Sequence, residues 1–298
     1  MSDNPQNPPA PTVEAGATRQ IADGVFVIED RRIPLVPNIG IVVGNDKALV
    51  IDTGMGRENG ERVLAAARAL AGSRQLILTL THFHPEHGYG ADAFKGNAEI
   101  LYNRAQAEEL ASKGEAYLEM FKGMGPAIAD ALSGTRLVAA DRLYEGKEHL
   151  LDLGGRKVLL KTWGKAHTRG DQIVYLPEDG ILFTGDLAEE STFPIFPWFP
   201  PHDVDIDGDN WVRALNDCIA LQPRTVVPGH GDIGGLDILT GVRNYIVDVA
   251  AKVKAARNGR SEDEIVATLA PQIRSEHPDW HFPEWIDFAI RYRLAQPG

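Results

Sequence analysis

Thr81-His82-Phe83-His84-Pro85-Glu86-His87-Gly88-Tyr89-Gly90 places three imidazoles and a carboxylate within six residues. Just upstream, Gln75-Leu76-Ile77-Leu78-Thr79-Leu80 is a short apolar run with no helix-capping signal, so it predicts a buried strand that stops where the histidines begin. The histidines therefore belong to a loop at a strand end. In extended chain His82 and His84 project to the same side, and Gly88 and Gly90 are expected to turn the backbone so that Glu86 and His87 face the same point. Neutral imidazole with a carboxylate oxygen suits Zn²⁺, with Fe²⁺ or Mn²⁺ as other occupants. The plain alternative, a solvated polar loop, does not account for such a density of imidazole.

Working outward, the 298 residues are 43% hydrophobic and 24% charged, which excludes a wholly disordered chain and supplies a core for one large domain or two small ones. A net charge of -12 opposes nucleic acid and anionic membrane surfaces as partners, since both are polyanions. Cys218 is the only cysteine, so neither an intrachain disulfide nor a paired thiolate metal site is available. Residues 1–20 are rich in Pro, Asn and Ala without an apolar run of signal-peptide length, and predict a disordered tail ahead of a single domain over 21–298. No later stretch has the length of a membrane span, so a soluble cytoplasmic protein is expected. The oligomeric state is not legible.

Gly24–Glu29, Asn38–Val43 and Ala48–Ile51 are β-branched runs parted by turn residues and predict an antiparallel meander. The third ends in Asp52-Thr53-Gly54. Aspartic proteases carry such a triplet, but they need two of them to pair their carboxylates and this chain has one. Asp52 is instead expected to sit behind the metal and accept a hydrogen bond from a ligating histidine. Helical spacing over 58–73 makes a β-α-β step to the histidine strand, and Ala98–Tyr102 predicts a further strand. Residues 104–133 are helix-prone, with a break around Gly123-Met124-Gly125-Pro126. Their stripe of Tyr117, Leu118, Met120, Phe121 and Met124 is read as packing ahead of a substrate lid.

A hairpin is predicted over 149–163, followed by Gly164-Lys165-Ala166-His167-Thr168-Arg169-Gly170-Asp171 and a strand from Gln172 to Leu176. Ile181-Leu182-Phe183-Thr184 then leads to Gly185-Asp186, and Thr225-Val226-Val227 leads to Pro228-Gly229-His230. Each block sets a potential ligand among glycines at a strand end, where a rigid scaffold presents functional groups. Between the last two, Phe193, Phe196, Trp198 and Phe199 lie in a proline-rich loop that could line a substrate pocket or fold onto the core. Helices are predicted over 210–221, 236–258, 261–269 and 285–294. His149, His202, His277 and His281 fall outside the glycine-flanked blocks and are read as surface or packing residues.

With His167, Asp186 and His230 following in order, His82-Phe83-His84-Pro85-Glu86-His87 resembles the metallo-β-lactamase-fold superfamily of metallohydrolases, and Asp52-Thr53-Gly54 stands in place of its early aspartate turn. The resemblance spans residues 25–235. It implies an α/β (α+β) fold, an αββα sandwich of two mixed sheets with helices outside and metal at one edge. It further implies that His82, His84 and His167 bind one metal, that Glu86, His87 and His230 bind a second, and that Asp186 bridges them. Two departures stand out. The family's usual aspartate is here Glu86, one methylene longer by roughly 1.5 Å, which is expected to weaken the second site, and Ala166 replaces a common glycine.

The activity implied is zinc-dependent hydrolysis, with one or two Zn²⁺ per chain, a binuclear centre when both are present, and Glu86 and Asp186 as the catalytic carboxylates. Zinc lowers the pKa of water from about 15.7 to about 7 and polarises a scissile carbonyl. The apolar loop favours a small cyclic amide or ester, as for a β-lactamase. Lactonase, thioesterase and phosphodiesterase are alternatives within the same fold. A di-iron redox protein is disfavoured, because members resembling flavodiiron proteins carry an acidic residue in place of His84 and a flavin domain.

Overall fold

The computed structural model describes residues 9–296. Strands β1 (Arg19–Ala22), β2 (Val25–Ile28), β3 (Ile39–Val43) and β4 (Lys47–Ile51) form an antiparallel meander. Helix α1 (Gly56–Ala71) returns the chain to β5 (Gln75–Thr79), parallel to β4. After the short helix α2 (Pro85–Gly88), β6 (Glu99–Asn103) adds in parallel, and α3 (Arg104–Lys122) with α4 (Pro126–Ala131) leads to β7 (Arg142–Tyr144), again parallel. The result is a seven-stranded mixed sheet.

The second sheet repeats the plan. Strands β8 (Glu148–Asp152), β9 (Lys157–Thr162), β10 (Gln172–Leu176) and β11 (Ile181–Phe183) are antiparallel, and α5 (Gly208–Ala220) crosses over to β12 (Thr225–Val227), parallel to β11. Helices α6 (Leu236–Ala256), α7 (Glu262–Glu276) and α8 (Trp285–Ala295) complete the chain.

Period-two alternation builds the layers. In β4 and β5, Ala48, Val50, Leu76 and Leu78 face the core under α1 and α3, while Leu49, Ile51 and Ile77 join Leu160, Val174 and Phe183 between the sheets. A third core joins the second sheet to α5, α6 and α8 through Ile173, Leu182, Trp211, Tyr245 and Ile290. Three apolar layers between four structural ones make the αββα sandwich.

The expected disordered tail over 1–20 is corrected from residue 9 onward; residues 1–8 lie outside the described region. Val13 is fully buried. Its N–H donates to Asn59 Oδ1 at 2.9 Å, and Asn59 Nδ2 donates to the Pro11 carbonyl at 2.6 Å. A buried amide on α1 thus fixes a segment that has no periodicity of its own. The edge strands β1 and β7 also escape local reading, since each pairs on one side only over four and three residues. The break in 104–133 does occur, with Gly125 at φ 153° and Pro126 opening α4.

Candidate active site

All the candidate ligands emerge at one end of the two sheets. The chain leaving β5 carries His82 and His84, and α2, with Pro85 at its first position, brings Glu86 and His87 round in a single helical turn. Gly88 and Gly90 do not act as expected. Gly90 has an ordinary φ of -81°, and what the glycines allow is close approach: a Cβ on Gly88 would lie 2.7 Å from Leu80 Cδ1, and one on Gly90 2.9 Å from the Gly60 Cα of α1. His167 lies in the β9–β10 loop, Asp186 in a 3₁₀ turn after β11, and His230 just past β12.

These residues converge as two groups, His82, His84, His167, Asp186 and Glu86, His87, Asp186, His230, each with one ligand-type atom per residue within 4.8 Å of the others. Asp186 divides its oxygens between them. Its Oδ2 lies 3.7 Å from His82 Nε2 and 3.9 Å from His167 Nε2, and its Oδ1 lies 3.2 Å from His87 Nε2 and 3.8 Å from His230 Nε2. A Cβ at residue 229 would fall 1.9 Å from Asp186 Oδ1, so only glycine there leaves that oxygen its place.

The surroundings hold the imidazoles in position. Asp52 Oδ2 lies 2.9 Å from His87 Nδ1, while Asp52 accepts from Thr81 N at 2.7 Å and Thr81 Oγ1 at 2.8 Å. Its φ of 67° is a left-handed conformation that aspartate tolerates better than most residues. His230 Nδ1 faces the Val36 carbonyl at 3.0 Å. The His84 ring stacks on Tyr117, with centroids 5.1 Å apart. Thr168, next to His167, donates through N and Oγ1 to Asp171 at 2.7 and 2.6 Å, which sets the loop.

His82 Nε2 and Glu86 Oε2 are buried without a hydrogen-bond partner among the described residues, and His87 Nε2 and Asp186 Oδ1 face only each other, as an ion pair at 3.2 Å. Each such atom costs about 1–3 kcal/mol, and a fold retains a cluster of them where a ligand satisfies them. Burial holds His82, His84 and His230 below the usual imidazole range and brings His167 down to about 4, which keeps the rings neutral as metal ligation requires. For His87 burial also opposes charge, but Asp186 and Asp52 outweigh it and raise the pKa well above the usual range. Burial pushes Glu86 up to about 7. His87 and His230 hold Asp186 far below the carboxylate range despite its burial. The convergent donor set of imidazoles and carboxylates fits Zn²⁺ or a similar divalent ion.

Of the aromatic loop that could line a pocket or fold onto the core, Phe193 and Phe196 take the second course. Both are fully buried in the core under the second sheet, Phe193 against Tyr245 and Trp280 and Phe196 against Trp211 and Tyr292. Trp198 and Phe199 turn the other way, onto α3: Trp198 meets Phe121, and Phe199 meets Tyr117 edge-on at 5.2 Å. A cavity of about 10 Å³ remains beside the first group, bordered by His84, His167, Lys113, Tyr117, Trp198 and Asp203. Tyr117 belongs to the stripe read from the sequence as packing ahead of a substrate lid, whereas Lys113, Asp203 and the buried Glu189 had no signal in the sequence beyond ordinary helix and loop composition. Glu189 is raised well above its usual range, by burial first and then by Asp186.

Residues 32–230 match the family model of the metallo-beta-lactamase superfamily. The chain is 27% identical to acyl-coenzyme A thioesterase MBLAC2 of Gallus gallus, over 77% of this chain and 86% of that protein. It is 24% identical to the linear primary-alkylsulfatase of a Pseudomonas species, over 77% of this chain and 49% of that protein. Among solved structures, a metallo-beta-lactamase from Pontibacter korlensis superposes with a TM-score of 0.61 at 19% identity, covering 78% of this chain and 98% of the other. The match of the family model across both sheets and every ligand block, on the sandwich and the clustered histidines described, establishes that the chain belongs to the metallo-beta-lactamase superfamily of metal-dependent hydrolases.

Proposed function

We propose that this chain is a zinc hydrolase of a small activated carbonyl compound, an acyl thioester in the first instance. The observation that carries the reading is the convergence of imidazole and carboxylate side chains in two groups of four that share Asp186, all buried except the partly exposed His230. His82, His84 and His167 would hold one ion; Glu86, His87 and His230 would hold a second, with Asp186 between them. When bound, the metal supplies an acidified water and an electrophile for the carbonyl oxygen.

The chain's own residues do the rest. Asp186, with an oxygen toward each group, orients the attacking water and shares its proton. Asp52 fixes the His87 ring so that Nε2 points into the site. Tyr117, Trp198 and Phe199 form an apolar wall that excludes bulk water from the side of His84. The thioester is favoured by the similarity to acyl-coenzyme A thioesterases over most of both chains. The cyclic amide or ester expected from the sequence is the second reading, supported by the similarity in fold to metallo-beta-lactamases.

The test is metal analysis of the purified protein followed by turnover of a butyryl thioester, nitrocefin, a simple lactone, an alkyl sulfate and bis-p-nitrophenyl phosphate. Hydrolysis of the thioester with loss of both bound zinc and rate in His84→Ala and His167→Ala is the expected result. Turnover confined to the sulfate or the phosphodiester rejects the carbonyl reading, and full metal content in His84→Ala places the ion elsewhere.

A further inference from the structure

The cavity beside the first ligand group has one polar feature that the hydrolytic machinery does not use. Asp203 borders it and is 6% exposed. Its Oδ2 accepts from the backbone N–H groups of Trp198 and Phe199, which folds the aromatic loop back on itself. Its Oδ1 is buried and has no hydrogen-bond partner among the described residues. The cation on the same wall does not answer it, because Lys113 is committed to Glu109 and Asp205 at 2.8 Å each, and Asp205 also takes Lys165 at 2.6 Å. A buried carboxylate oxygen without a donor is costly, and the residue that carries it lines the same space as His84, His167 and Tyr117.

We propose that Asp203 is a specificity-determining residue that accepts a hydrogen bond from an amide N–H of the substrate, so that the enzyme selects carbonyl substrates bearing an amide close to the scissile bond. The proposal rests on the hydrolytic reading of the site given above for its catalytic consequence, but the recognition itself is a binding event. The cavity of about 10 Å³ holds a group about the size of a water molecule, which suits the edge of an amide and not a second acyl chain. The rest of the substrate must lie over Trp198 and Phe199, which are half-buried. Substrates without a donor leave Oδ1 unanswered and incur the penalty that a site built for hydrogen bonding imposes on the wrong partner.

The experiment uses two matched ligand pairs and the full zinc-loaded chain. The pair without a thioester is S-butyl-N-acetylcysteamine and its acetoxy analogue, in which oxygen replaces the N–H, with dissociation constants measured by calorimetry. The unmutated protein is expected to bind the amide about tenfold or more tightly than the ester analogue, as for a hydrogen bond to a charged group. In Asp203→Asn, which keeps an oxygen for Trp198 and Phe199 but offers N–H₂ to the cavity, that preference should vanish while affinity for the acetoxy compound stays within about twofold. Equal binding of the pair by the unmutated protein, binding of neither compound, or a preference that survives in Asp203→Asn overturns the proposal. The matching thioesters, S-butyryl-N-acetylcysteamine and its acetoxy analogue, are then tested for turnover. Selective binding of the amide without hydrolysis of either thioester would leave Asp203 its role and reject the thioester reading instead.

Discussion

Glu86 is the residue at which one methylene is expected to bear on metal stoichiometry. Its side chain reaches the group formed with His87, Asp186 and His230, from the first turn of α2. If the longer side chain folds back to reach the ion, Glu86→Asp should tighten the second zinc and Glu86→Ala should leave one zinc per chain. Zinc titration of the metal-free protein checks this, and two equally tight sites in the unmutated chain would reject a weakened second site. Asp52 acts on the same group through another residue. Asp52→Asn keeps a residue tolerant of the left-handed φ of 67° but replaces a charged acceptor of the His87 ring. Affinity at that group should fall about 10–100-fold, read as a zinc dissociation constant, with the first group unaffected.

Helix α1 and the ligand loop meet at two glycines, and that contact reverses an ordinary rule. Gly→Ala inside a helix normally stabilises by about 1 kcal/mol. At Gly60, however, the new Cβ would fall 2.0 Å from the Gly90 carbonyl oxygen, on backbone that cannot swing aside. Gly90 is itself held by the Gly54 carbonyl at 3.0 Å, so the helix and not the loop must shift. Gly60→Ala is therefore expected to destabilise by about 1–3 kcal/mol, measured by urea denaturation, and to lower zinc occupancy. A stabilised variant with full zinc would show that the loop yields. At the other end of the chain, helix α7 begins with a capping box in which Ser261 and Glu264 satisfy each other's backbone N–H groups. Ser261→Ala should cost about 1 kcal/mol without touching the site, a control for the first variant.

Across the whole molecule, burial of the ligand cluster ties stability to pH. In the metal-free protein, burial lowers the pKa of His82, His84, His167 and His230 below the ordinary 6.5, to about 4 for His167. For these groups the unfolded chain binds more protons below pH 6.5 than the folded one does. Their contribution to stability is thus present above about pH 6.5 and is lost as the pH falls toward 4. His87, raised by Asp186 and Asp52 against its burial, works in the opposite direction at higher pH, and Glu86, pushed up to about 7 by burial, offsets part of the loss within the window. The metal-free protein should accordingly lose thermal stability between about pH 6.5 and 4, and excess zinc, which binds the neutral rings, should restore most of it above pH 6. A melting temperature flat across that window would show that the imidazoles stay accessible to protons in the fold.

Local sequence determined most of the frame. The alternation in β4 and β5 and the helical spacing of α1, α3 and α6 follow from side-chain periodicity, which depends only on neighbours in the chain. The His82–His87 block, Asp52, His167, Asp186 and His230 were legible because strand ends among glycines mark where groups are presented. What lay beyond the sequence depends on contacts between distant residues. Phe193, Phe196, Trp198 and Phe199 have the same composition and spacing signal, yet two enter the core beneath the second sheet and two reach over to α3. Their sorting depends on which layer each faces after the loop has crossed the mouth of the site, and no local periodicity records that. Val13 is ordered because Asn59, 46 residues later, supplies an acceptor, and Asp203 comes to border the same cavity as Tyr117 and His84 only when the second half of the sandwich closes on the first. Burial and hydrogen-bond satisfaction across long sequence separations, which only the folded chain specifies, decide which of the polar groups are free to act.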